Sequence, residues 1–377
     1  MKIYLEENVY EASLKRIEYL FNEFDEVIVN FSGGKDSTVV LHLCLEVARK
    51  LKQLPLKVAF IDQEAEWQGT IDYVKEIMYS KEIEPYWYQM PMKISNSTSF
   101  GDAWLQCWDE EHKERWIHPK DPISIKENKY GTERFAEMFD KIQQVEYPDK
   151  KTCRIAGVRC EESPSRLLGL SYIATYKDIT WGRVNDPNKQ HFTFYPIYDW
   201  SWKDVWKAIY QNKWKYNKIY DEMYRIGIGV PKMRISNVHH ETAIHQLFTL
   251  QEIEPDTWEK LVERIPGINS TGTLKAQGHT VTSLPYMFKD WKEYRDYLVE
   301  HLVEDEKVKK IFHKHFIRTE KHFKGFRNMD KVYKDHIKAV LHNDYHFTKL
   351  GMTQIGGTNI QISKDKREAK NGSKSKT

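Results

Sequence analysis

A glycine-rich segment with the letters SGGKDS, at residues 32–37, has the composition of a phosphate-binding loop. Two adjacent glycines let backbone amides approach an anion with no Cβ in the way, and Lys35 and the two serines supply further hydrogen-bond donors. The structural alternative is a tight turn whose serine or aspartate caps the next helix. The spacing fits neither a Walker A loop nor the GxGxxG loop of dinucleotide-binding proteins. The candidate site residues of this segment are Ser32, Gly33, Gly34, Lys35, Asp36 and Ser37.

A second segment, GVRCEESPSR at residues 157–166, carries two arginines that can bind phosphate or sulfate oxygens through paired hydrogen bonds. Its glycine allows a close approach of the backbone, and Glu162 can orient an arginine. The structural alternative is a helix start, with Ser163 as N-cap and Pro164 in the first turn. The candidate site residues of this segment are Gly157, Arg159, Glu162, Ser163 and Arg166, and Asp62 joins them from the end of another predicted strand.

Short apolar segments alternate with segments of helical spacing through the first half of the chain. The alternation predicts an α/β fold with a Rossmann-like, open parallel sheet, whose ligands bind at the carboxyl ends of the strands. Both candidate segments follow or end predicted strands, so we expect them to meet at that edge. Predicted strands cover residues 27–31, 58–61, 86–90, 154–159, 176–181 and 192–197, and predicted helices cover residues 37–51, 70–79, 132–144 and 164–170.

The second half of the chain is basic and has helical periodicity. Residues 201–377 carry 32 Lys and Arg against 22 Asp and Glu, whereas the whole chain has a net charge of only +3. Such a region predicts an acidic partner, a nucleic acid or a protein, and the alternative is a solvated helical surface around core aromatic residues. Predicted helices cover residues 217–225, 237–251, 255–264, 289–303, 307–322 and 331–342.

These patterns divide the chain into three regions. Residues 1–235 are expected to form the α/β domain, with an insertion at residues 93–130 that lacks a sustained period and suits a lid. Residues 236–350 are expected to form a mainly helical C-terminal domain. Residues 351–377 are polar and basic, and their composition predicts a disordered tail.

Several motifs, in the same order along the chain, resemble one protein family. A strand followed by SGGKDS is typical of the PP-loop ATP pyrophosphatases, and GVRCEESPSR resembles their phosphoadenosine phosphosulfate (PAPS) reductase branch. The segments PIYDWSWKDVW at residues 196–206 and YNKIYD at residues 216–221 resemble the same branch. The resemblance spans residues 20–235, and it is strongest to a PAPS reductase-like group with an extra C-terminal domain of unknown function.

The resemblance implies an adenine-nucleotide site. In this family the loop binds the phosphates of ATP for cleavage between the α- and β-phosphates with adenylyl transfer, or it binds a sulfonucleotide such as PAPS. It implies that Lys35, Arg159 and Arg166 stabilise the charge that develops during catalysis, and that Asp36 holds Mg²⁺ together with oxygens of ATP. The choice between ATP and PAPS stays open.

The cysteines depart from the reductase pattern. Reductases of this branch use a cysteine in a C-terminal Glu-Cys-Gly-[Leu/Ile]-His motif, whereas this chain has no cysteine after Cys160. Sulfonucleotide reduction needs a nucleophilic thiol, so it is not expected unless Cys160 or Cys153 has taken that role. The cysteines form no CxxC pair, and no iron–sulfur cluster is expected.

Three functional classes remain open. The first is an enzyme that transfers an adenylyl group or acts on a sulfonucleotide, and the second is a nucleotide-sensing regulatory or nucleic-acid-interacting protein without turnover. The third is an enzyme that modifies RNA by adenylylating a base. No stretch approaches the ~18 to 20 apolar residues of a membrane span, so we expect a cytoplasmic protein. The sequence leaves the oligomeric state open.

Overall fold

The computed structural model of the chain describes residues 5–96, 104–171, 174–235, 247–265, 267–268, 283–303, 305–323 and 328–341. They fall into two compact units. The first unit takes its residues from Met1–Ile94, Gln106–Val238 and Thr249–Lys260, and the second from Ser95–Leu105, His239–Phe248 and Leu261–Thr377. The domain boundary predicted at residue 235 adjoins residues 236–246, which lie outside the described residues, as does the predicted tail, so both stay predictions.

Most strands of the described residues belong to one sheet, with the order β3-β2-β1-β6-β8-β7, and β4 and β5 form a separate pair. The strands are β1 (Glu26–Asn30), β2 (Leu56–Ile61), β3 (Ile83–Tyr88), β4 (Met92–Ser95), β5 (Trp104–Cys107), β6 (Thr152–Ile155), β7 (Gly182–Val184) and β8 (His191–Phe194).

The main sheet is parallel except at one edge. β1 pairs in parallel with both β2 and β6, and only β7 runs antiparallel to its neighbour β8. The sheet grows in one direction from β1 to β3 and in the opposite direction from β6, so the strand order reverses between β1 and β6. Open α/β sheets bind ligands at such a reversal, outside the carboxyl ends of the strands. The predicted fold class is confirmed.

Helices flank this sheet, and α2 is the one that positions the glycine-rich loop. The helices of the first part of the chain are α1 (Val9–Glu23), α2 (Lys35–Leu51), α3 (Gln68–Met78), α4 (Phe135–Glu146), α5 (Pro164–Ser171), α6 (Trp202–Gln211) and α7 (Ile219–Arg225). The apolar side of α2, including Val40, Leu43 and Val47, lies in the same core as Val29 and Phe60 of the sheet. Burial of this side holds the start of α2 at the end of β1.

The C-terminal helices are α8 (Leu247–Ile253), α9 (Pro255–Arg264), α10 (Trp291–Leu302), α11 (Glu306–His322) and α12 (Met329–Leu341). Val299 of α10, Phe312 and Phe316 of α11, and Val340 of α12 share one hydrophobic core. The predicted helical character of the C-terminal region is therefore confirmed for the described residues.

Three predicted strands differ clearly from the structure. Residues 176–181 do not form a strand of the main sheet: Tyr176 and Ile179 form an isolated bridge around a turn in which Lys177 has a φ of 49°. Tyr176 of this segment packs in the hydrophobic core instead, since the centroid of its ring lies 5.0 Å from that of Phe192. The strands predicted over residues 154–159 and 192–197 end early, at Ile155 and Phe194, because the residues that follow each of them form a loop.

The insertion predicted at residues 93–130 packs on the loop that follows β2. The Trp108 indole is fully buried, and its Nε1 donates a hydrogen bond to the carbonyl oxygen of Asp62 at 2.8 Å. Its backbone amide donates to the Glu64 carboxylate at 2.7 Å. Further along, Ile125 forms a parallel bridge with Tyr88. Movement of this segment as a lid stays a prediction.

Candidate functional site

The glycine-rich loop lies between β1 and α2, as the sequence predicts. Gly33 has a φ of 70°, and a Cβ at this position would stand 2.8 Å from Cγ2 of Thr70, so only glycine fits. Gly34 is the N-cap of α2 and makes no side-chain capping bond. The backbone amides of Asp36 and Ser37 donate no hydrogen bond to any of the described residues. The helix start therefore offers free donors and the positive end of its dipole to an anion.

Three hydroxyl groups line this loop. The hydroxyls of Ser32 and Ser37 lie 3.1 Å apart, and Ser37 also donates to the carbonyl oxygen of Gly34 at 3.0 Å. The third hydroxyl belongs to Tyr220, which accepts a hydrogen bond from the amide of Lys35 at 3.0 Å. Tyr220 lies within the segment YNKIYD, but nothing in that segment marks it as a site residue from sequence alone.

The loop after β6 meets the glycine-rich loop directly. A Cβ on Gly157 would stand 2.7 Å from the carbonyl carbon of Asp36, so the two backbones are in contact at this position. Arg159, which is 4% exposed, reaches the Asp36 carboxylate with its Nε at 2.5 Å. The two motifs predicted from the sequence thus come together at the reversal of strand order.

Four cationic side chains influence one another at this junction: Lys35, Arg159, Arg166 and Arg234. Burial lowers the pKa of Lys35, and the charges of Arg159 and Arg234 lower it further against the opposing effect of Asp36. Burial also lowers the pKa of Arg166, with a further contribution from Arg234. Mutual repulsion of this kind marks a region of positive potential that an anion would relieve. No motif pointed to Arg234.

Carboxylates hold the arginines in place. Arg159 contacts Glu161 at 3.0 Å, and Glu162 forms an ion pair with Arg166. Glu161 also accepts a hydrogen bond from the backbone amide of Trp202, the first residue of α6, at 2.6 Å. Glu162 is therefore the ion-pair partner of Arg166, and its part in nucleotide binding stays a prediction.

Ser163 caps the start of a helix, which is the structural alternative given for its segment. Its hydroxyl accepts a hydrogen bond from the amide of Arg166 at 3.2 Å, which is the geometry of an N-cap at the start of α5. Its place among the nucleotide-binding residues stays a prediction.

Asp62 lies at the end of β2, and its carboxylate is already bonded by protein groups. It accepts hydrogen bonds from Trp87 Nε1 at 3.0 Å, Gln89 Nε2 at 2.9 Å and the amide of Glu64 at 2.9 Å. Burial disfavours the charged form of His118, but Asp62, 3.4 Å away, outweighs that effect and raises its pKa. Asp62 is fully buried among these donors, and its contact with a nucleotide stays a prediction.

Glu66 lies in the same loop as a third buried carboxyl group, after Asp62 and Glu64. Burial and the charge of Asp62 raise the pKa of Glu66 to about 8. Neither Glu66 nor His118 was predictable from the sequence, because their burial depends on the packing of the insertion.

Asp36 fits one part of a magnesium site. Within the described residues no group of three or more His, Cys, Asp and Glu side chains is arranged to hold a metal ion. Mg²⁺ is usually bound by one or two carboxylates together with substrate phosphates, so a single aspartate at a phosphate loop suits it. The Asp36 carboxylate contacts Lys35 at 3.3 Å and also Arg159, so a magnesium ion would share it with these two cations.

The thiols differ in their access to the site. Cys44, Cys107 and Cys153 are buried, whereas Cys160 is partly exposed and follows Arg159. Burial raises the pKa of Cys153 well above its ordinary value, so Cys153 is a poor nucleophile.

No helix in the described ranges is long and apolar enough to cross a membrane.

Comparison with known proteins gives matches over both regions of the chain. A family model for the phosphoadenosine phosphosulfate reductase domain matches residues 26–230, and one for a domain of unknown function (DUF3440) matches residues 227–367. The uncharacterized protein YbdN of Escherichia coli K12 is 30% identical over 316 residues, which cover 78% of this chain and 75% of that protein.

Two further matches concern the first region. The adenosine 5'-phosphosulfate reductase of Geobacillus thermodenitrificans is 24% identical over 219 residues, covering 58% of this chain and 77% of that protein. The crystal structure of the PAPS reductase from Candida auris in a phosphate complex is 15% identical, with a TM-score of 0.36, and covers 64% of this chain and 99% of that one.

Proposed function

Because the chain belongs to the phosphoadenosine phosphosulfate reductase domain family, we propose that its first unit binds ATP with Mg²⁺ and cleaves it between the α- and β-phosphates. The observation that carries this proposal is the convergence of Lys35, Arg159, Arg166 and Arg234 on a loop with free helix-end amides. Several cations and a helix N-terminus suit a polyphosphate better than a singly charged ligand.

The proposed reaction is adenylyl transfer. A nucleophile attacks the α-phosphorus, the bond from that phosphorus to the oxygen bridging to the β-phosphate breaks, and pyrophosphate leaves with the electron pair while the nucleophile releases its proton to solvent. Mg²⁺, held by Asp36 and phosphate oxygens, would neutralise part of the polyphosphate charge. Lys35 and Arg159, already in place beside Asp36, stabilise the charge on the oxygens as the bond breaks.

Arg166 and Glu162 add a positioning element. The ion pair between them holds the guanidinium near the other cations before a ligand is bound. A preorganised cation costs little reorganisation when charge develops, so Arg166 contributes to the transition state more than a free surface arginine would.

Binding of PAPS is the alternative for the same site, and the thiols argue against its reduction. A reductase must attack sulfur with a thiolate, and Cys153 is buried with a raised pKa. Within the described residues, Cys160 is the one thiol that is not buried. Chemistry at phosphorus requires no thiol, which favours ATP as the substrate.

The test is binding and turnover of ATP-Mg²⁺ and of PAPS by the purified full chain, with pyrophosphate, AMP and sulfite as the products measured. We expect pyrophosphate from ATP, with water as the default acceptor, and its loss in Lys35→Ala and in Arg159→Ala. Lys207→Ala, which removes an exposed lysine of α6, is the matched control and should keep the activity.

Three outcomes would overturn parts of the proposal. Tight nucleotide binding with no pyrophosphate, in the presence and absence of RNA, would favour the regulatory class. Release of sulfite from PAPS would restore a reductase and direct attention to Cys160. No binding of either nucleotide would remove the site altogether.

A further inference from the structure

Helix α11 has one buried side and one strongly cationic side. Its buried residues Val308, Phe312, Phe316 and Thr319 face the core. At ~100° per residue, five cations fall within an arc of about 80° on the opposite side, and an isoleucine stands at each edge of that arc. The cationic face consists of the exposed residues Lys307, Lys310, Lys314, Arg318 and Lys321, edged by Ile311 and Ile317.

The ion pairs of α11 lie outside its cationic face, as far as the structure describes the chain. Within the described part of the chain, none of them forms an ion pair, whereas Lys309, on another side of α11, pairs with Glu306 at 2.8 Å. The neighbouring helices mix both signs on their exposed sides: α10 exposes Lys292 with Glu293, and α12 exposes Asp330 with Lys331. A surface that serves only solubility interleaves the two signs, so the cationic face calls for a polyanionic partner.

The arrangement distinguishes a nucleic acid from a protein. Protein interfaces place apolar residues at their centre and charges at the rim. On α11 the order is reversed, because the cations occupy the centre and Ile311 and Ile317 the edges. The aromatic residues Phe312 and Phe316 are buried, so the face offers no ring on which unpaired bases can stack. This leaves a duplex, contacted through its phosphates.

We propose that α11 docks on B-form double-stranded DNA through phosphate contacts made by its cationic face. Lys307 and Lys321 are separated by 14 residues, or about 21 Å of helix, along which duplex DNA presents a phosphate charge every ~1.7 Å. The major groove of B-DNA, about 12 Å wide, admits an α-helix whose long side chains reach the phosphate rims. The groove of A-form RNA is too narrow for that, which is why DNA is the partner.

The number of phosphate contacts predicts how strongly the DNA affinity depends on salt concentration. Each neutralised phosphate releases counterions, and the slope of log affinity against log salt concentration is about −0.9 per contact, so five contacts predict a slope of roughly −4.5. The contacts read no base, so affinity should not depend on sequence.

The experiment measures binding of the full chain to a 30-base-pair DNA duplex by fluorescence anisotropy across a series of KCl concentrations. The test variant combines Lys310→Gln, Lys314→Gln and Arg318→Gln. The control combines Lys289→Gln, Lys292→Gln and Lys331→Gln, which removes the same charge from exposed positions outside α11. The test variant should make the slope less negative by roughly 2.7, and the control should leave it unchanged.

Several results would overturn this assignment. Equal losses in the test and control variants would mean attraction by net charge alone. Tighter binding of single-stranded DNA or of an RNA duplex of the same length would assign a different partner, and no binding of DNA at low salt would remove the docking surface. Circular dichroism melts of both variants report whether they fold. Lys35→Ala should retain DNA binding, so failure of the nucleotide site and failure of this surface are distinguishable.

Discussion

Gly157 lies directly against the backbone of Asp36. A side-chain carbon at position 157 would stand 2.7 Å from the carbonyl carbon of Asp36 and 2.9 Å from the amide nitrogen of Ser37. Adjacent parallel strands bring the two loops together, since Val29 of β1 is in register with Ile155 of β6. Contact between the loop backbones in turn places the Arg159 guanidinium on the Asp36 carboxylate.

This contact predicts that Gly157→Ala damages the site. The added methyl group must push the two loops apart, and overpacking of this kind costs about 1 to 3 kcal/mol of unfolding free energy. We expect nucleotide affinity to fall as well, because Arg159 moves away from Asp36. Urea denaturation and equilibrium nucleotide binding measure the two effects.

Gly169→Ala is the matched control for Gly157→Ala. Gly169 lies in α5 with nothing within 4 Å of its missing Cβ, so alanine should be neutral or stabilise the helix. If the two variants have the same unfolding free energy and the same nucleotide affinity, the loops accommodate the added methyl group without loss of stability, which would contradict the prediction.

Arg234 is predicted to bind the ligand although no motif identified it. Its charge acts on both Lys35 and Arg166. If an anion relieves this repulsion, Arg234→Ala should weaken nucleotide binding about tenfold, which corresponds to about 1.4 kcal/mol. Arg225→Ala, at an exposed arginine paired with Glu222, should leave the affinity unchanged. Isothermal titration with ATP-Mg²⁺ checks both, and similar dissociation constants for Arg234→Ala and the unmodified protein would contradict the prediction.

The parts of the site that follow strands were predictable, and the parts that depend on tertiary packing were not. Gly33, Gly157 and Arg159 lie next to strand ends, where local sequence and the geometry of parallel sheets fix their position. Tyr220 and Arg234 reach the loop only because the chain after α6 packs back on it. That path leaves no periodic signal in the sequence.

Patterns of residue type also gave wrong or no predictions where tertiary packing determines the structure. The aromatic segment at residues 176–181 reads as a strand, but Tyr176 serves the core beside Phe24 and Phe192 while the chain turns. In the same way, Trp108 and His118 come from an insertion with no period, and their burial beside Asp62 could not be read from the sequence.

The pKa of Glu66 predicts a pH dependence of stability. Burial and Asp62 raise the pKa of its carboxyl group from 4.5 to about 8, so the folded protein keeps a proton that the unfolded chain has lost. Stability therefore falls as the pH rises between these two values, with a slope of up to about 1.4 kcal/mol per pH unit from this one group. Urea denaturation at a series of pH values from about 5 to about 9 should show the decline.

Glu66→Gln tests this assignment, because an uncharged amide of the same shape loses no proton. The unfolding free energy of Glu66→Gln should change less with pH than that of the unmodified protein across that range. On the alkaline side it should be the larger of the two. Parallel pH profiles for the two proteins would show that Glu66 is ionised in the folded state.

Glu254 caps the start of α3, and its loss is predicted to destabilise the first unit. The N-cap residue of α3, Trp67, makes no side-chain capping bond, and the Glu254 carboxylate takes that role by accepting hydrogen bonds from the amides of Gln68 and Gly69, each at 2.8 Å. Removing a charged acceptor from such amides costs about 1 to 3 kcal/mol. Glu254→Ala should lower the unfolding free energy by that amount, and Glu254→Gln by less, because its carbonyl oxygen still accepts. Glu252→Ala, at an exposed position of α8, should have no effect. Limited proteolysis adds a second measurement: cleavage near residues 249–260 should accelerate in Glu254→Ala, and an unchanged rate together with an unchanged unfolding free energy would show that the cap does not stabilise α3.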